Sequence, residues 1–255
     1  MARSYARKAG EERPRVRIDD DGETKTLVVD ETFASFYRPG EVATLCVWDA
    51  IAAPILWLPP NRRRRILILG LGAGSIARLA RAMAPDAEIL GVELDAEVVR
   101  LARAHFDLDT LDVQVEIADA REWLAKSGAR KGLGRFDVIL EDVFIGNGDD
   151  VHKPDWIPDP AHRQARKLLA AGGVMVSNTL DEHGRVAQAM GEAFPCVVDI
   201  GTEDYDNHVL AGGGEGMTGA ALRRAVSASP LLEESLSILS FRSRGSRGSH
   251  GTQST

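Results

Sequence analysis

Ile66-Leu67-Ile68-Leu69-Gly70-Leu71-Gly72-Ala73-Gly74, followed at the next turn of the chain by Gly91-Val92-Glu93-Leu94-Asp95, is the stretch on which the fold turns. Four consecutive apolar residues running into a glycine-rich turn read as a strand buried on both faces, as in a parallel sheet. A helix starts near Ser75. Gly70, Gly72 and Gly74 remove side chains that would hold a ligand off the turn, and they allow backbone angles other residues avoid. Glu93 ends the second strand at the same sheet edge, where a carboxylate accepts two hydrogen bonds from ribose hydroxyls. The glycines alone are weak testimony, because buried strand-to-helix turns need glycine for packing as well. With Glu93 they point to a nucleoside-bearing ligand.

Strands and helices alternate outward from this stretch. Strands are expected at Ile66, Ala87 to Glu93, Val113 to Ala118, Phe136 to Asp142 and Gly173 to Thr179. Helices are expected over Ser75 to Ala84, Ala96 to His105, Arg121 to Lys126, Pro160 to Ala170 and from an Asp181 cap to Ala193. Two further β-runs, Cys196 to Ile200 and His208 to Ala211, flank a hairpin-length loop. This pattern predicts an α/β fold, a Rossmann-like, doubly wound, seven-stranded and mostly parallel sheet with an antiparallel last strand. Val16 to Ile18 and Thr24 to Val29 flank a turn signature and predict a small N-terminal β-hairpin. Apolar residues at helical spacing predict a helix over Glu41 to Trp57, stopped by Pro59-Pro60. The expected organisation is a disordered basic tail over 1–14, a small β segment over 15–40, the ligand-binding domain over 41–211, a helical extension over 212–239 (Ala220 to Val226 and Leu231 to Leu239) and a disordered tail over 240–255. Arg62 to Arg65 read as a solvated loop at the sheet end opposite the glycine turn.

Bulk properties narrow the function classes. The net charge is −7, from 31 basic and 38 acidic residues, and both ends are basic while the body between them is acidic. An acidic body argues against a nucleic-acid surface. No apolar run follows the basic N-terminus and none reaches membrane-spanning length, so a cytoplasmic protein without a membrane partner is expected. Cys46 and Cys196 read as buried reduced thiols. His152, His162, His183 and His208 show no ligand spacing in sequence, so no metal is expected.

Ligands of an open parallel sheet sit beyond the carboxyl ends of its strands. Those ends carry Gly70, Gly72 and Gly74, then Glu93 and Asp95, then Asp119 and Ala120, then Glu141 and Asp142. Together, Ile-Leu-Ile-Leu-Gly-Leu-Gly-Ala-Gly-Ser, Gly-Val-Glu-Leu-Asp-Ala-Glu-Val-Val, Ile-Ala-Asp-Ala-Arg-Glu-Trp-Leu and Phe-Asp-Val-Ile-Leu-Glu-Asp resemble class I S-adenosylmethionine-dependent methyltransferases, most closely their spermidine-synthase-like branch. The resemblance covers about Val16 to Ala211. It implies S-adenosylmethionine or its decarboxylated form as cofactor, held by Gly70, Gly72, Gly74, Ser75, Glu93, Leu94, Asp95, Asp119, Ala120 and Glu141. Glu93 would take the ribose, Asp119 and Ala120 the adenine, and Asp142 would face the reacting centre. A homodimer is the assembly it suggests.

One departure bears on the substrate. Aminopropyltransferases of this branch follow the fourth strand with an Asp-x-x-Asp motif; here Asp142-Val143-Phe144-Ile145 keeps only the first acid. An apolar residue cannot anchor an ammonium. Methyl transfer to an unidentified nitrogen or oxygen nucleophile, on a small amine or a protein, is therefore the main expectation. Aminopropyl transfer is the alternative, and a scaffold that binds cofactor without turnover is a further one. The loop over 146–160, with His152, Asp155 and Trp156, is expected to cover the substrate. A nicotinamide dehydrogenase fits less well, since the third glycine of its turn would fall at Ser75 and the Asp119 and Asp142 strand ends would have no task.

Overall fold

A computed structural model describes residues 15–244; the tail expected over 1–14 and the last residues of the one expected over 240–255 lie outside these. The N-terminal segment is a three-stranded antiparallel sheet rather than a hairpin: β1 (Val16–Asp20), β2 (Lys25–Val29) and β3 (Thr32–Tyr37). Asp30 and Glu31 both take positive φ, 47° and 61°, and so form the tight turn that folds β3 back on β2.

The expected helix over 41–57 shrinks to α1 (Val47–Ala52) and a 3-10 turn, Ala53–Trp57. Asp49 is the reason. Its buried carboxylate accepts from Thr44 N and Oγ1, Leu45 N and the Ser235 hydroxyl, at 2.7 to 2.9 Å, and draws residues 44 and 45 out of helical geometry.

The main domain then runs β4 (Arg65–Leu69), α2 (Ser75–Met83), β5 (Glu88–Glu93), α3 (Ala96–His105), β6 (Val113–Ile117), α4 (Ala120–Ser127), β7 (Phe136–Glu141), α5 (Ala161–Leu168), β8 (Leu169–Thr179), α6 (His183–Ala193), β9 (Cys196–Thr202), β10 (His208–Gly213), α7 (Gly219–Ser227) and β11 (Leu239–Arg244). The sheet order is β11-β9-β10-β8-β7-β4-β5-β6. From β8 to β6 the strands are parallel, and β10, β9 and β11 add on antiparallel. The doubly wound reading holds, with an eighth strand beyond the expected seven. Residues 239–244, assigned to a helix end and a disordered tail, pair with β9 from Leu239 opposite Thr202 to Arg244 opposite Val197. Leu239 and Phe241 alternate inward, a strand period that a short run cannot announce against its Ser-Arg surroundings. The helix expected over 231–239 is two 3-10 turns. The cap residue of α6 is Glu182 rather than Asp181, and its carboxylate goes elsewhere.

β4 is buried on both faces, as its four apolar residues require. Ile66 and Ile68 join the core under α1, α2 and α3, while Leu67 and Leu69 join the one under α4, α5 and α6. Of the four arginines ahead of it, Arg62 and Arg64 are exposed as a solvated loop requires, but Arg62, Arg63 and Arg65 also hold the structure together. Arg63 donates to the carbonyls of Leu58, Met83 and Leu56 at 2.7 to 3.1 Å, Arg62 donates to Ala171 O, and the Arg65 guanidinium lies 4.9 Å from the centre of the Phe136 ring. They satisfy carbonyls at chain reversals, a use of guanidinium that a charge run hides.

The connection from β7 to α5 is held by a buried ion pair. Glu141 Oε1 accepts from Lys153 Nζ at 2.6 Å and from Val143 N at 2.8 Å, and Oε2 accepts from the Ser177 hydroxyl at 2.6 Å. Lys153 Nζ also donates to Val143 O and sits 3.9 Å from the centre of the Phe144 ring, while its backbone N–H donates to Glu182 Oε1. Both charged groups are fully shielded, at 1% and 0% side-chain exposure. Burial alone pushes the Glu141 carboxyl up, but Lys153 and His162 outweigh it and hold it down at about 2.

Removing one partner strands a buried charge. Lys153→Met is expected to cost ~3–5 kcal/mol in urea unfolding, and the double variant Glu141→Gln/Lys153→Met to recover much of that loss because no charge is left buried. A carboxyl whose folded pKa lies below its ordinary 4.5 stabilises the fold above that value, and the benefit disappears as pH falls toward about 2. Acid unfolding of the native chain should therefore steepen in that window, and the double variant should lack this component.

Candidate functional site

A cleft of about 870 Å³ opens at the carboxyl ends of β4, β5, β6 and β7, where the sheet order reverses between β4 and β7. A hollow of similar size, about 800 Å³, lies at the opposite ends of the strands. Among its charged groups Arg65 pairs with Glu88 and Arg130 with Glu116, and it lies away from the glycine turn and the strand-end acids.

The glycine turn forms one wall of the cleft, though its glycines answer to the protein as much as to a ligand. Gly70 has φ +82°, and a Cβ there would lie 2.5 Å from the Asp142 carbonyl oxygen; at Gly72, φ +56°, it would lie 2.6 Å from Ser35 Oγ. Both line the cleft. Gly74 does not: it caps α2 and faces Leu108. Ser75 reaches the cleft wall, but its hydroxyl bonds Phe36 N and O at 2.9 Å and pins β3 to α2. Ser35, from β3, accepts from Ala73 N at 2.8 Å. The N-terminal sheet is thus a structural wall of the site.

The strand-end acids are each oriented by donors. Glu93 accepts from Gly72 N at 2.8 Å and Asp95 N at 3.1 Å; burial pushes its carboxyl up while those N–H groups pull it down. Asp119 caps α4, with Oδ1 accepting from Arg121 N and Glu122 N. Asp95 caps α3 and pairs with Arg15, which outweighs the burial penalty and holds the carboxyl below its usual range. Leu94, 66% exposed, offers an apolar surface to the cleft between Glu93 and Asp119, and Ala120 lies beside it.

Asp142 directly follows β7. Its Oδ1 accepts from Asn178 Nδ2 at 2.8 Å and its Oδ2 from Trp48 Nε1 at 3.2 Å, and Asn207 Nδ2 in turn donates to Asn178 Oδ1 at 3.0 Å. Burial pushes the Asp142 carboxyl up, against the opposing pull of Lys153, Asn178 and Trp48. Phe33, Trp48, Phe144, Ile145, Trp156 and Tyr205 wall this end of the cleft, with Phe33 edge-on to Trp48 at 4.9 Å.

Besides Gly74, three residues singled out from sequence stand elsewhere. Glu141 points away from the cleft into its ion pair, because successive strand residues face opposite sides of the sheet. His152 and Asp155 do not line the cleft; His152 pairs through its backbone with Ile145, at 2.9 Å in both directions, and folds the loop on itself. Trp156 does line it. Trp48, Asn178 and Asn207 were not found from sequence. Asn178 had a signal, a polar Ser-Asn-Thr ending an apolar strand, whereas Trp48 and Asn207 meet Asp142 only through tertiary packing.

Residues 61–214 match a family model described as a methyltransferase domain. A probable polyamine aminopropyl transferase of Bifidobacterium longum is 32% identical over 165 residues, 62% of this chain and 34% of that one. The eEF1A lysine and N-terminal methyltransferase of Danio rerio is 26% identical over 153 residues, 57% of this chain and 22% of that one. The chain thus matches about a third or less of the length of these relatives. A crystal structure of a probable spermidine synthase from Corynebacterium glutamicum superposes with a TM-score of 0.69 at 23% identity, covering 94% of both chains, which is a likeness of fold. The family match spans more than half the chain and agrees with the strand order, the glycine turn and the strand-end acids: this protein belongs to the methyltransferase-domain family, with the fold of a spermidine-synthase-like class I S-adenosylmethionine-dependent methyltransferase.

Proposed function

We propose that the chain transfers the aminopropyl group of decarboxylated S-adenosylmethionine to a small amine held at Asp142. The charge of the cleft carries this reading. Among the described residues, its lining holds Asp30, Glu93, Asp95, Asp119 and Asp142 against a single cation, Arg15, which is already engaged by Asp95 and Asp30. The decarboxylated cofactor is dicationic. The intact one carries a carboxylate for which this cleft offers no free cation, so its charge is less well matched. Relatives named polyamine aminopropyltransferase, from several bacteria, support the same choice.

The residues present suit the cofactor. Gly70 and Gly72 keep side chains off the turn, Glu93 would hold the ribose, Asp119 and Leu94 would hold the adenine, and the cleft volume suits a nucleoside-sized ligand. When bound, the sulfonium supplies an activated carbon. Asp142 accepts a hydrogen bond from the acceptor's N–H, directs the nitrogen lone pair at that carbon, and takes the proton released as the N–C bond forms and the C–S bond breaks. Trp48 and Asn178 fix both carboxylate oxygens beforehand, so little reorganisation accompanies the step.

Ile145 sets the acceptor apart from a diamine. It occupies the position of the second acid, is 48% exposed, and stands among aromatic walls. The acceptor is accordingly an amine with an apolar remote end. Methyl transfer is the second reading, favoured by the same missing acid.

Calorimetric titration is expected to show tighter binding of the decarboxylated cofactor than of the intact form; the reverse preference, with methyl transfer to an amine, would replace this reading with the second. Asp142→Asn should lower turnover by about 10²–10⁴ while leaving donor affinity within a few-fold. Because the working form of Asp142 is ionised and its pKa is raised, kcat/KM should fall on acidification at a pH above the ordinary carboxylate value of 3.8, and the Asn variant should lose that limb. Ile145→Asp should lower the KM for a linear diamine by up to about fivefold, the worth of one partly exposed ion pair.

A further inference from the structure

His183, Asp199 and His208 are far apart in sequence and carry no recognisable metal-binding spacing. The fold brings them together: His183 opens α6, Asp199 lies in the middle of β9, and His208 opens β10. One ligand atom from each lies within 4.8 Å of the others. His183 Nε2 is 3.2 Å from Asp199 Oδ2, His208 Nδ1 is 3.2 Å from Asp199 Oδ1, and the two imidazole rings are 4.3 Å apart.

The arrangement already holds a cation. Arg244, near the outer end of β11, places Nη1 at 2.7 Å from His183 Nε2 and 3.3 Å from Asp199 Oδ2. His183 Nε2 can donate to Asp199 Oδ2 in one tautomer; a guanidinium only donates, so toward Arg244 Nε2 presents its lone pair in the other, with the ring proton on Nδ1. That Nδ1 is buried and has no hydrogen-bond partner. A histidine in this second tautomer, with its lone pair directed at a cation beside a carboxylate, is arranged as a metal ligand is.

We propose that His183, Asp199 and His208 form a binding site for a late first-row divalent ion such as Zn²⁺, in which Arg244 occupies the ion's place until the ion displaces it. The ligand set, two imidazoles and one carboxylate, suits Zn²⁺ and its neighbours rather than Mg²⁺ or Ca²⁺, which take oxygen ligands. A Zn²⁺ ion about 2 Å from each ligand atom needs those atoms about 3–4 Å apart, within reach of small side-chain rotations from the spacing present. Displacement is feasible because the Arg244 side chain is 42% exposed on an edge strand, whereas Asp199 is 14% exposed and stays in place. Three protein ligands leave a position open to water or a ligand atom.

The site abuts the cleft without being part of it. His208 follows Asn207, the last member of the Asp142–Asn178–Asn207 chain, and its carbonyl accepts from Thr179 Oγ1 at 2.6 Å at the end of β8. A bound ion would tie α6, β9 and β10 together at that corner. Its predicted consequence is rigidity of the sheet edge that carries Asn207, and it stands whether the transferred group is methyl or aminopropyl.

The test is titration of the full-length chain, purified without a histidine tag, with Co²⁺ followed by visible absorption and then by competition with Zn²⁺. One saturable equivalent is expected, with a rise in thermal midpoint on Zn²⁺ addition. His208→Ala, at a half-exposed position that leaves the core intact, and His183→Ala should each weaken binding by at least about tenfold. Arg244→Ala should tighten it, because the competing cation is gone; a merely structural role for the cluster predicts no gain. Absence of saturable binding, binding unchanged in the double histidine variant, or binding unaffected by Arg244→Ala would each overturn the proposal.

Discussion

β4 and β7 can run side by side to their ends because residue 70 has no side chain. A Cβ at Gly70 would stand 2.5 Å from the Asp142 carbonyl oxygen, and Asp142 N donates to Leu69 O at 2.8 Å just below. This contact places the carboxylate that follows β7 at the switch in strand order, the one point where a parallel sheet leaves a crevice between its crossover helices. The rest of the site follows from that placement. Trp48 and Asn178 reach Asp142 from α1 and β8 on either side, and the glycine turn and the end of β5 close the far half through the Gly72 N–H to Glu93 bond. Behind the strand, the side chain preceding Asp142 points the other way, and there the Glu141–Lys153 pair ties the β7 to α5 connection to the core.

The strand alternation was legible because β4 and its neighbours are buried on both faces, and such strands read as unbroken apolar runs. The strand-end acids were legible for a related reason, since they are the first polar residues after those runs. Hidden were the features that sequence period does not encode. β11 is a short edge strand whose inward residues, Leu239 and Phe241, are too few to establish a period against an arginine-rich surrounding. Lys153 sits in a loop of mixed polarity, where nothing local says that its ammonium is fully shielded; only the fold brings it under Glu141. Glu141 was assigned to the wrong side for want of register, because a one-residue difference along a strand reverses the face. Arg62, Arg63 and Arg65 show the converse, members of a charge run that reads as solvated and yet donate to backbone carbonyls.

The acids of the cleft raise a question of energy. Glu93, Asp95, Asp119 and Asp142 converge on one crevice among the described residues, and like charges so placed repel. The fold keeps them ionisable by giving each its own donors: backbone N–H groups for Glu93 and Asp119, Arg15 and a helix start for Asp95, an indole and an amide for Asp142. Donors of this kind orient the carboxylates but do not neutralise the field they create together. Burial pushes Glu93 and Asp142 up as well, a desolvation cost that adds to that of the shared field.

A cationic ligand relieves that cost, and this links recognition to stability. The relief grows with the positive charge brought in, so a dicationic donor and an ammonium acceptor gain more from the crevice than a donor whose carboxylate must enter the same field. Whatever binds the folded chain and not the unfolded one adds to its stability in proportion to the logarithm of its saturation. On the proposed function, a cationic donor and a cationic acceptor draw on the same field, each weakening the attraction that the other meets, so the two sites would be coupled through charge alone, without any movement of the walls. Ile145 then has a physical role. It withholds a further acid from a crevice already crowded with them, and on the proposed function it would direct the uncharged part of the acceptor to the aromatic end, where burial of apolar surface rather than another ion pair would secure it.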